Sequence, residues 1–169
     1  MKITAQEEYG LRCLLRLTKF ESGSATLPEV AAAEGLSVPY VGKLMAVLRH
    51  AGVLESVRGR SGGYKLARPA DEIGLGSVLL ILGEPLFDEH EYCQKHAGTE
   101  APGGVCTNKA TCKLKSLWQT LELWMRRTLD QITLADLIQN EGRLPELLRE
   151  RLAAAVFEDE PQLLSLNVK

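Results

Sequence analysis

A pair of short amphipathic helices separated by one tight turn constrains this fold more than any other feature. The apolar pattern predicts a first helix over residues 27–34, where a proline near the first turn costs no hydrogen bond. It predicts a second helix over residues 38–50, with Gly35-Leu36-Ser37 between them. Two short helices joined by a glycine-containing turn are typical of a helix-turn-helix.

The segments on either side complete a small helical domain. Thr4-Ala5-Gln6-Glu7 is a capping-box pattern, which predicts a helix from there to about Phe20. Strand-like runs at residues 53–57 and 63–67 flank the glycine-rich link Arg58-Gly59-Arg60-Ser61-Gly62. A link of this kind between short strands predicts a hairpin, which would form the wing of a winged helix.

The charge is divided unevenly along the 169 residues. Residues 1–70 hold ten Lys and Arg against six Asp and Glu, a net of +4, whereas residues 71–169 hold ten against sixteen, a net of −6. The basic part is therefore the expected contact with DNA. The side chains predicted to reach the bases or phosphates are those at the start of the second short helix and on the wing: Ser37, Pro39, Tyr40, Lys43, Arg58 and Arg60.

Three cysteines lie in a stretch without apolar periodicity, from about Phe87 to Thr111 and just beyond it. Cys93, Cys106 and Cys112 follow the spacings C-x12-C and C-x5-C, and thiolates hold iron–sulfur clusters. Zinc sites usually use tighter pairs, and free thiols are a further alternative. His96 lies within the segment as a reserve ligand. A start without an export signal and no long apolar run predict a cytoplasmic protein without membrane contact, where disulfides are rare.

A long amphipathic helix follows the cysteines and continues to about Gln131. One small domain cannot easily cover its apolar stripe, so we expect this helix to pack on its copy in a homodimer. The stripe consists of Leu114, Leu117, Trp118, Leu121, Trp124 and Met125. The predicted fold is mainly α with a small β-hairpin. Residues 1–70 form the DNA-binding domain, residues 71–139 the sensor loop and dimerisation helix, and residues 140–169 an extension with a helix over 143–156.

The sequence resembles the IscR/NsrR/RsrR-type regulators, the Rrf2 family. These carry an L-S-x-x-Y turn, an L-x-x-A-G-L-V-like strand entry and a G-x-x-G-G-Y-x-L-x-R-P wing. The matching runs here are residues 36–43, 48–54 and 58–69, together with residues 2–4, 8–11 and 132–137. The match extends to about residue 139, and the segment 143–169 is longer than the resemblance explains.

The resemblance implies an iron–sulfur cluster on the three cysteines with one further ligand. In the iron–sulfur-assembly regulators that ligand is a histidine three positions after the last cysteine, where this chain has Lys115. In nitric-oxide- and redox-sensing members an acidic residue near the start of the first helix reaches across from the partner subunit, and Glu8 matches it. Glu34 stands where redox-sensing members have a histidine ligand, which makes it a weaker candidate.

These observations together predict a dimeric regulator that binds palindromic double-stranded DNA and senses redox state, nitric oxide or iron–sulfur status, most simply as a repressor. We favour a [4Fe–4S] cluster over [2Fe–2S]. A change at the cluster would alter the separation of the two recognition helices. The alternatives are a cluster-free regulator that senses through thiols or a protein partner, and a small oxidoreductase. No nucleotide loop or nucleophile–base pair favours an enzyme.

Overall fold

The computed structural model describes residues 3–59, 62–83, 92–93, 95–98, 106, 112–139 and 142–158. Seven helices and one hairpin are named below in chain order. They are α1 Ala5–Leu17, α2 Leu27–Glu34, α3 Val38–His50, β1 Leu54–Val57, β2 Gly63–Leu66, a 3₁₀ turn Ala70–Glu72, α4 Leu75–Leu82, α5 Lys113–Asp130, α6 Leu134–Gln139 and α7 Leu144–Glu158. This architecture confirms the predicted fold class.

Helix α1 begins where the capping box predicts and ends three residues earlier than expected. Thr4 Oγ1 accepts a hydrogen bond from the Glu7 N–H at 3.2 Å, and the Glu7 carboxylate accepts one from the Thr4 N–H at 2.7 Å. After Leu17 the chain tightens into turns, in which Phe20 N–H bonds the Leu17 carbonyl three residues back. Phe20 still packs against the core, so its apolar character did not require a helical backbone.

The turn between α2 and α3 forms as the sequence predicts. Gly35 ends α2 in the left-handed region at φ 67°, which glycine adopts without steric cost. Ser37 Oγ then accepts the Tyr40 N–H at 3.4 Å and caps α3. The two helices bend 113° apart, within the range that a helix-turn-helix requires.

The wing is a two-stranded antiparallel hairpin anchored to the loop after α1. Strand β1 pairs with β2 in a register that places Leu54 opposite Leu66. Beyond the pair, Ala25 and Tyr64 exchange backbone hydrogen bonds of 3.0 and 2.8 Å. Strand β2 is therefore hydrogen-bonded on both edges, to β1 on one side and to Ala25 on the other.

One buried core joins the N-terminal elements to the later helices. Ile73 and Leu134 are fully buried in it, and the Leu134 N–H donates to the Ile73 carbonyl at 2.9 Å. The other fully buried members include Leu14, Leu17, Val30, Val41, Leu44, Met45, Leu48, Val53 and Leu54. Residues beyond 71 thus help to hold α1 and α3 in place.

Helix α5 is tied to α4 by one carboxylate. Asp130 Oδ1 accepts hydrogen bonds from the Ser77 N–H at 2.8 Å and the Ser77 hydroxyl at 3.0 Å, in the first turn of α4. Helix α7, where the sequence predicts a helix over 143–156, contacts α5 and α6. In the described part of the chain, no single helix is long and apolar enough to cross a membrane, although α2 and α3 together satisfy that test by length and composition.

The close approach of Gly63 to the Ala25 backbone generates a stability prediction. A Cβ at Gly63 would overlap the Ala25 carbonyl, and this backbone cannot withdraw without breaking the Ala25–Tyr64 bridge. We expect Gly63→Ala to lower the free energy of unfolding by about 1–3 kcal/mol in urea denaturation. Gly42→Ala is the matched control, because its Cβ would lie 3.5 Å from Leu27. It should raise stability by about 0.5–1 kcal/mol; equal effects of both changes would contradict the packing argument.

Candidate DNA-reading surface and sensor segment

The first turns of α3 present a solvent-facing surface of short and basic side chains. Ser37, Pro39 and Lys43 are exposed and Tyr40 is half-buried. The opposite face of the same helix, at Val41, Leu44, Met45 and Leu48, is buried. Burial of that face leaves the amino-terminal end of α3 free to enter a groove of DNA.

The wing supplies a second basic position. Arg58 is exposed at the end of β1, and the following Gly59 turns the chain with φ 122°. Arg60, the other arginine predicted on the wing, lies outside the described residues. Sequence reasoning did not single out Arg49, which is exposed in the last turn of α3 beside His50; a basic last turn was the available signal.

A network of aromatic and charged side chains connects α1, α2 and α3. The rings of Tyr9 and Tyr40 meet edge to face, with centroids 6.1 Å apart and an interplanar angle of 86°. The Arg12 guanidinium lies 5.3 Å from the centre of the Tyr9 ring. Arg12 Nε and Arg16 Nε donate to the two carboxylate oxygens of Glu34 at 2.8 and 2.6 Å.

The Glu34 carboxylate is almost completely enclosed by this network, with 5% of its side chain exposed. Burial alone would raise the pKa of Glu34, but hydrogen bonds from Arg16 and Arg12 outweigh it and hold the pKa below its ordinary value. The same bond to Glu34 raises the pKa of Arg12. Ligation of iron by Glu34 would require at least one of these ion pairs to open.

The four cysteines divide into one buried thiol and three accessible ones. None of them forms a disulfide. Cys93, Cys106 and Cys112 are partly exposed, whereas Cys13 is fully buried on the core face of α1. Burial raises the pKa of Cys13 to about 11, so its thiol stays protonated.

The cysteine-bearing stretch from about residue 87 to Cys112 is called the sensor segment here, after its proposed role. It contains a helical turn that sequence periodicity did not indicate. The His96 N–H donates to the Tyr92 carbonyl at 3.0 Å, and the two rings stack 4.5 Å apart. Trp118 Nε1 of α5 donates to the Tyr92 hydroxyl at 3.2 Å. Cys112 is the N-cap of α5, where its Sγ accepts a hydrogen bond from the Lys115 backbone N–H at 3.4 Å.

The donor atoms of this segment fit a cluster in their chemistry, since three thiols outside any disulfide are soft ligands. Within one subunit, however, the described positions of these thiols do not form a metal site. Among the residues that the structure describes, no three His, Cys, Asp or Glu side chains converge on a point that a metal could occupy.

Glu8 lies apart from those thiols, on an exposed position of α1. It lines a cleft of about 810 Å³ between α1, α4 and α5, with Leu11, Leu79 and Leu129 among its apolar walls. The described residues around this cleft include none of the three sensor cysteines.

The outer side of α5 is apolar and uncovered in the single chain. Leu114 is 57% exposed, and Leu117, Trp118, Leu121 and Trp124 are exposed with it, as is Leu123. Met125, predicted to belong to this stripe, is half-buried and lines the cleft toward α1 and α4 instead.

Comparison with known proteins identifies the family of this chain. The model of the Rrf2 family, described as an iron-dependent transcriptional regulator, matches residues 3–140. The chain belongs to the Rrf2 family. This confirms the resemblance derived from its motifs, and it makes the chain a transcription regulator and not an enzyme.

Individual Rrf2 relatives match most of the chain. The regulator IscR of Cereibacter sphaeroides is 35% identical over 88% of this chain and 97% of its own length. The structure of T. potens IscR has a TM-score of 0.62 and 32% identity over 85% of this chain and 90% of that one. The oxidised form of Staphylococcus aureus CymR has a TM-score of 0.57 and 33% identity over 82% of this chain and 97% of that one.

The division of the thiols predicts selective alkylation. In iron-free folded protein at pH 8, iodoacetamide should modify Cys93, Cys106 and Cys112 while Cys13 remains unmodified. A pKa of about 11 leaves roughly one thiolate in a thousand at that pH, and burial blocks the reagent. Peptide mass spectrometry measures the result, and guanidinium-unfolded protein, in which all four should react, is the control. Equal labelling of Cys13 in the folded state would refute the core assignment.

Proposed function

We propose that this Rrf2 regulator binds a palindromic operator as a homodimer and changes its affinity for that operator through an iron–sulfur cluster. The ligands in this proposal are Cys93, Cys106 and Cys112 of one subunit and Glu8 of the partner subunit. The observation that carries it is the separation of the thiols: three are accessible on the sensor segment, and the fourth is sealed in the core.

DNA reading is assigned to α3 and the wing. The major groove of B-DNA admits one helix, whose amino-terminal side chains reach the base edges. Ser37, Pro39, Tyr40 and Lys43 occupy that end of α3, and the exposure of Ser37, Pro39 and Lys43 supports the assignment. Arg58 and Arg60 on the glycine-flanked wing would enter the minor groove or hold phosphates.

The homodimer is assigned to the outer face of α5. Full burial of a large apolar side chain contributes about 1.5–3 kcal/mol of favourable free energy. Five of the six predicted interface residues on α5 are exposed in the single chain. Packing against the same face of a second copy would cover both stripes at once and give the two-fold axis that a palindromic operator matches.

When bound, the cluster supplies a centre that responds to redox state or nitric oxide, and we favour the [4Fe–4S] form. The residues of the chain would convert a change at the cluster into a change in the spacing of the two α3 helices. Cys112 caps α5, so one of the three thiols is attached to the proposed dimer helix, and Glu8 belongs to the first helix of the reading unit. Ligation by both would hold the sensor segment against α1 of the partner, and release would change the spacing of the two α3 helices. A difference of about 1.4 kcal/mol between these states changes affinity tenfold.

A cluster-free thiol sensor is the second candidate. The similarity to the oxidised form of CymR favours it, because accessible thiols can also respond directly to oxidants. Zinc on the same cysteines is a third outcome. These alternatives differ in metal content and colour, which makes them separable on the purified protein.

Loss of single positive charges should separate base reading from phosphate binding. Arg58→Ala and Arg60→Ala should each weaken operator and random duplex alike and reduce the slope of log affinity against log salt by about 1. Lys43→Ala should weaken the operator more than random duplex. Fluorescence anisotropy at several salt concentrations measures both. Arg149→Ala, on the exposed face of α7, removes one charge elsewhere; an equal loss there would exclude the wing.

Anaerobically purified protein tests the cluster. Wild-type protein should be coloured and contain iron and sulfide, and Cys106→Ala should lose both and make operator binding insensitive to oxidant. Cys13→Ala is the matched cysteine control and should keep its colour. Colourless wild-type protein would refute the proposal: zinc in it would indicate a zinc site, and metal-free protein the thiol sensor.

A mixed dimer tests whether Glu8 acts across the interface. Glu8→Gln and Cys106→Ala homodimers should both be depleted of cluster. A heterodimer of the two retains one site in which the thiols come from the first subunit and Glu8 from the second. It should therefore recover one cluster per dimer, whereas ligation by Glu8 within its own subunit would recover none.

A further inference from the structure

Among the contacts of the described residues, Tyr40 is the proposed base-reading residue whose side chain meets another helix. Its backbone N–H is held by the Ser37 cap, and its ring meets the Tyr9 ring edge to face at 6.1 Å. An edge-to-face aromatic pair favours one relative orientation over others. Tyr9 therefore restricts the conformers that Tyr40 can present to DNA.

Tyr9 is itself in contact with Arg12. The guanidinium lies 5.3 Å from the centre of the Tyr9 ring, where a cation and an aromatic face attract each other. Arg12 cannot easily leave this position, since its Nε bonds the Glu34 carboxylate at 2.8 Å and its Nη2 bonds the Glu34 carbonyl at 3.2 Å. The carboxylate and the last carbonyl of α2 thus fix the cation over the ring.

The two arginines bound to Glu34 differ in their other contacts. Arg16 Nε bonds the second carboxylate oxygen at 2.6 Å and supplies an ion pair between α1 and α2. Among the described contacts, Arg12 alone continues from Glu34 to Tyr9. Both arginines pair with Glu34, and Arg12 in addition contacts the Tyr9 ring that meets Tyr40 of the recognition helix.

We infer that Tyr9, held by Arg12 and Glu34, is a positioning residue that sets the side-chain conformer of Tyr40 and through it the sequence preference of α3. This inference rests on the proposed reading of DNA by α3. It adds a residue of α1 that lies outside the reading surface to the determinants of operator choice.

The test compares a selected operator with random DNA. Full-length wild-type protein selects a duplex from a random pool, and each variant is then titrated with that duplex and with a random duplex at the same salt. Tyr9→Leu should weaken binding to the selected duplex about three- to tenfold, the effect of one aromatic pair, and leave random duplex unchanged. Tyr9→Phe should remain close to wild type, since the ring alone makes both contacts.

A double-mutant cycle and the two arginines supply the controls. Tyr9→Leu should have no additional effect in a Tyr40→Leu background, because both changes remove the same pair. Arg12→Leu should reduce the ratio of selected to random affinity more than Arg16→Leu, which loses the same charge and the same partner but no contact with Tyr9. Arg12→Leu also serves if Tyr9→Leu fails to fold by thermal denaturation.

Three results would overturn the inference: equal weakening on both duplexes, additive effects of Tyr9→Leu and Tyr40→Leu, or identical behaviour of the two arginine variants. Failure of the DNA-reading proposal itself looks different. In that case Tyr40→Leu and Lys43→Ala would leave binding to the selected duplex unchanged.

Discussion

The buried carboxylate of Glu34 is the constraint on which the reading unit depends. A carboxylate with so little contact with water is stable as an anion only when it is paired and hydrogen-bonded, and here each oxygen receives one guanidinium Nε. Both arginines come from α1, four residues and about one turn apart. The end of α2 is therefore fixed on α1, and because the Gly35 turn directs α3 from that end, the orientation of the recognition helix depends on the same bonds.

Helix α1 serves several neighbours at once, which requires different chemistry on its different sides. Its apolar side enters the core at Leu14 and Leu17, and at Gly10 any Cβ would overlap the buried Leu82 of α4. The Gln6 amide donates to the Leu82 carbonyl at 2.5 Å, which ties the first turn of α1 to the end of α4. That end leads into the sensor segment.

Local chemistry explains which parts of the structure the sequence could predict. The start of α1 followed from its capping box, the start of α2 from the proline in its first turn, the turn from Gly35, and the hairpin from glycines between short strands, all of which act within a few residues. The end of α1 was misjudged because Phe20 packs on the core from a turn. The turn at Tyr92–His96 was missed because ring stacking and a bond to Trp118 support it, not an apolar stripe. The Arg12–Glu34 pair joins residues 22 positions apart, and no local pattern indicates such a contact.

The neighbouring positions of Glu8 and Tyr9 explain how sensing and reading could share one helix. Successive residues of an α-helix point about 100° apart, so Glu8 lines the cleft beside α5 while Tyr9 contacts Tyr40 of α3. A pull on Glu8 can reach α3 only if the first turn of α1 moves as a unit. The Thr4–Glu7 capping box and the Gln6 bond to α4 stiffen that turn. In the proposed mechanism a frayed start would absorb the displacement of Glu8 before it reached α3, so the capping box would serve transmission as well as helix stability.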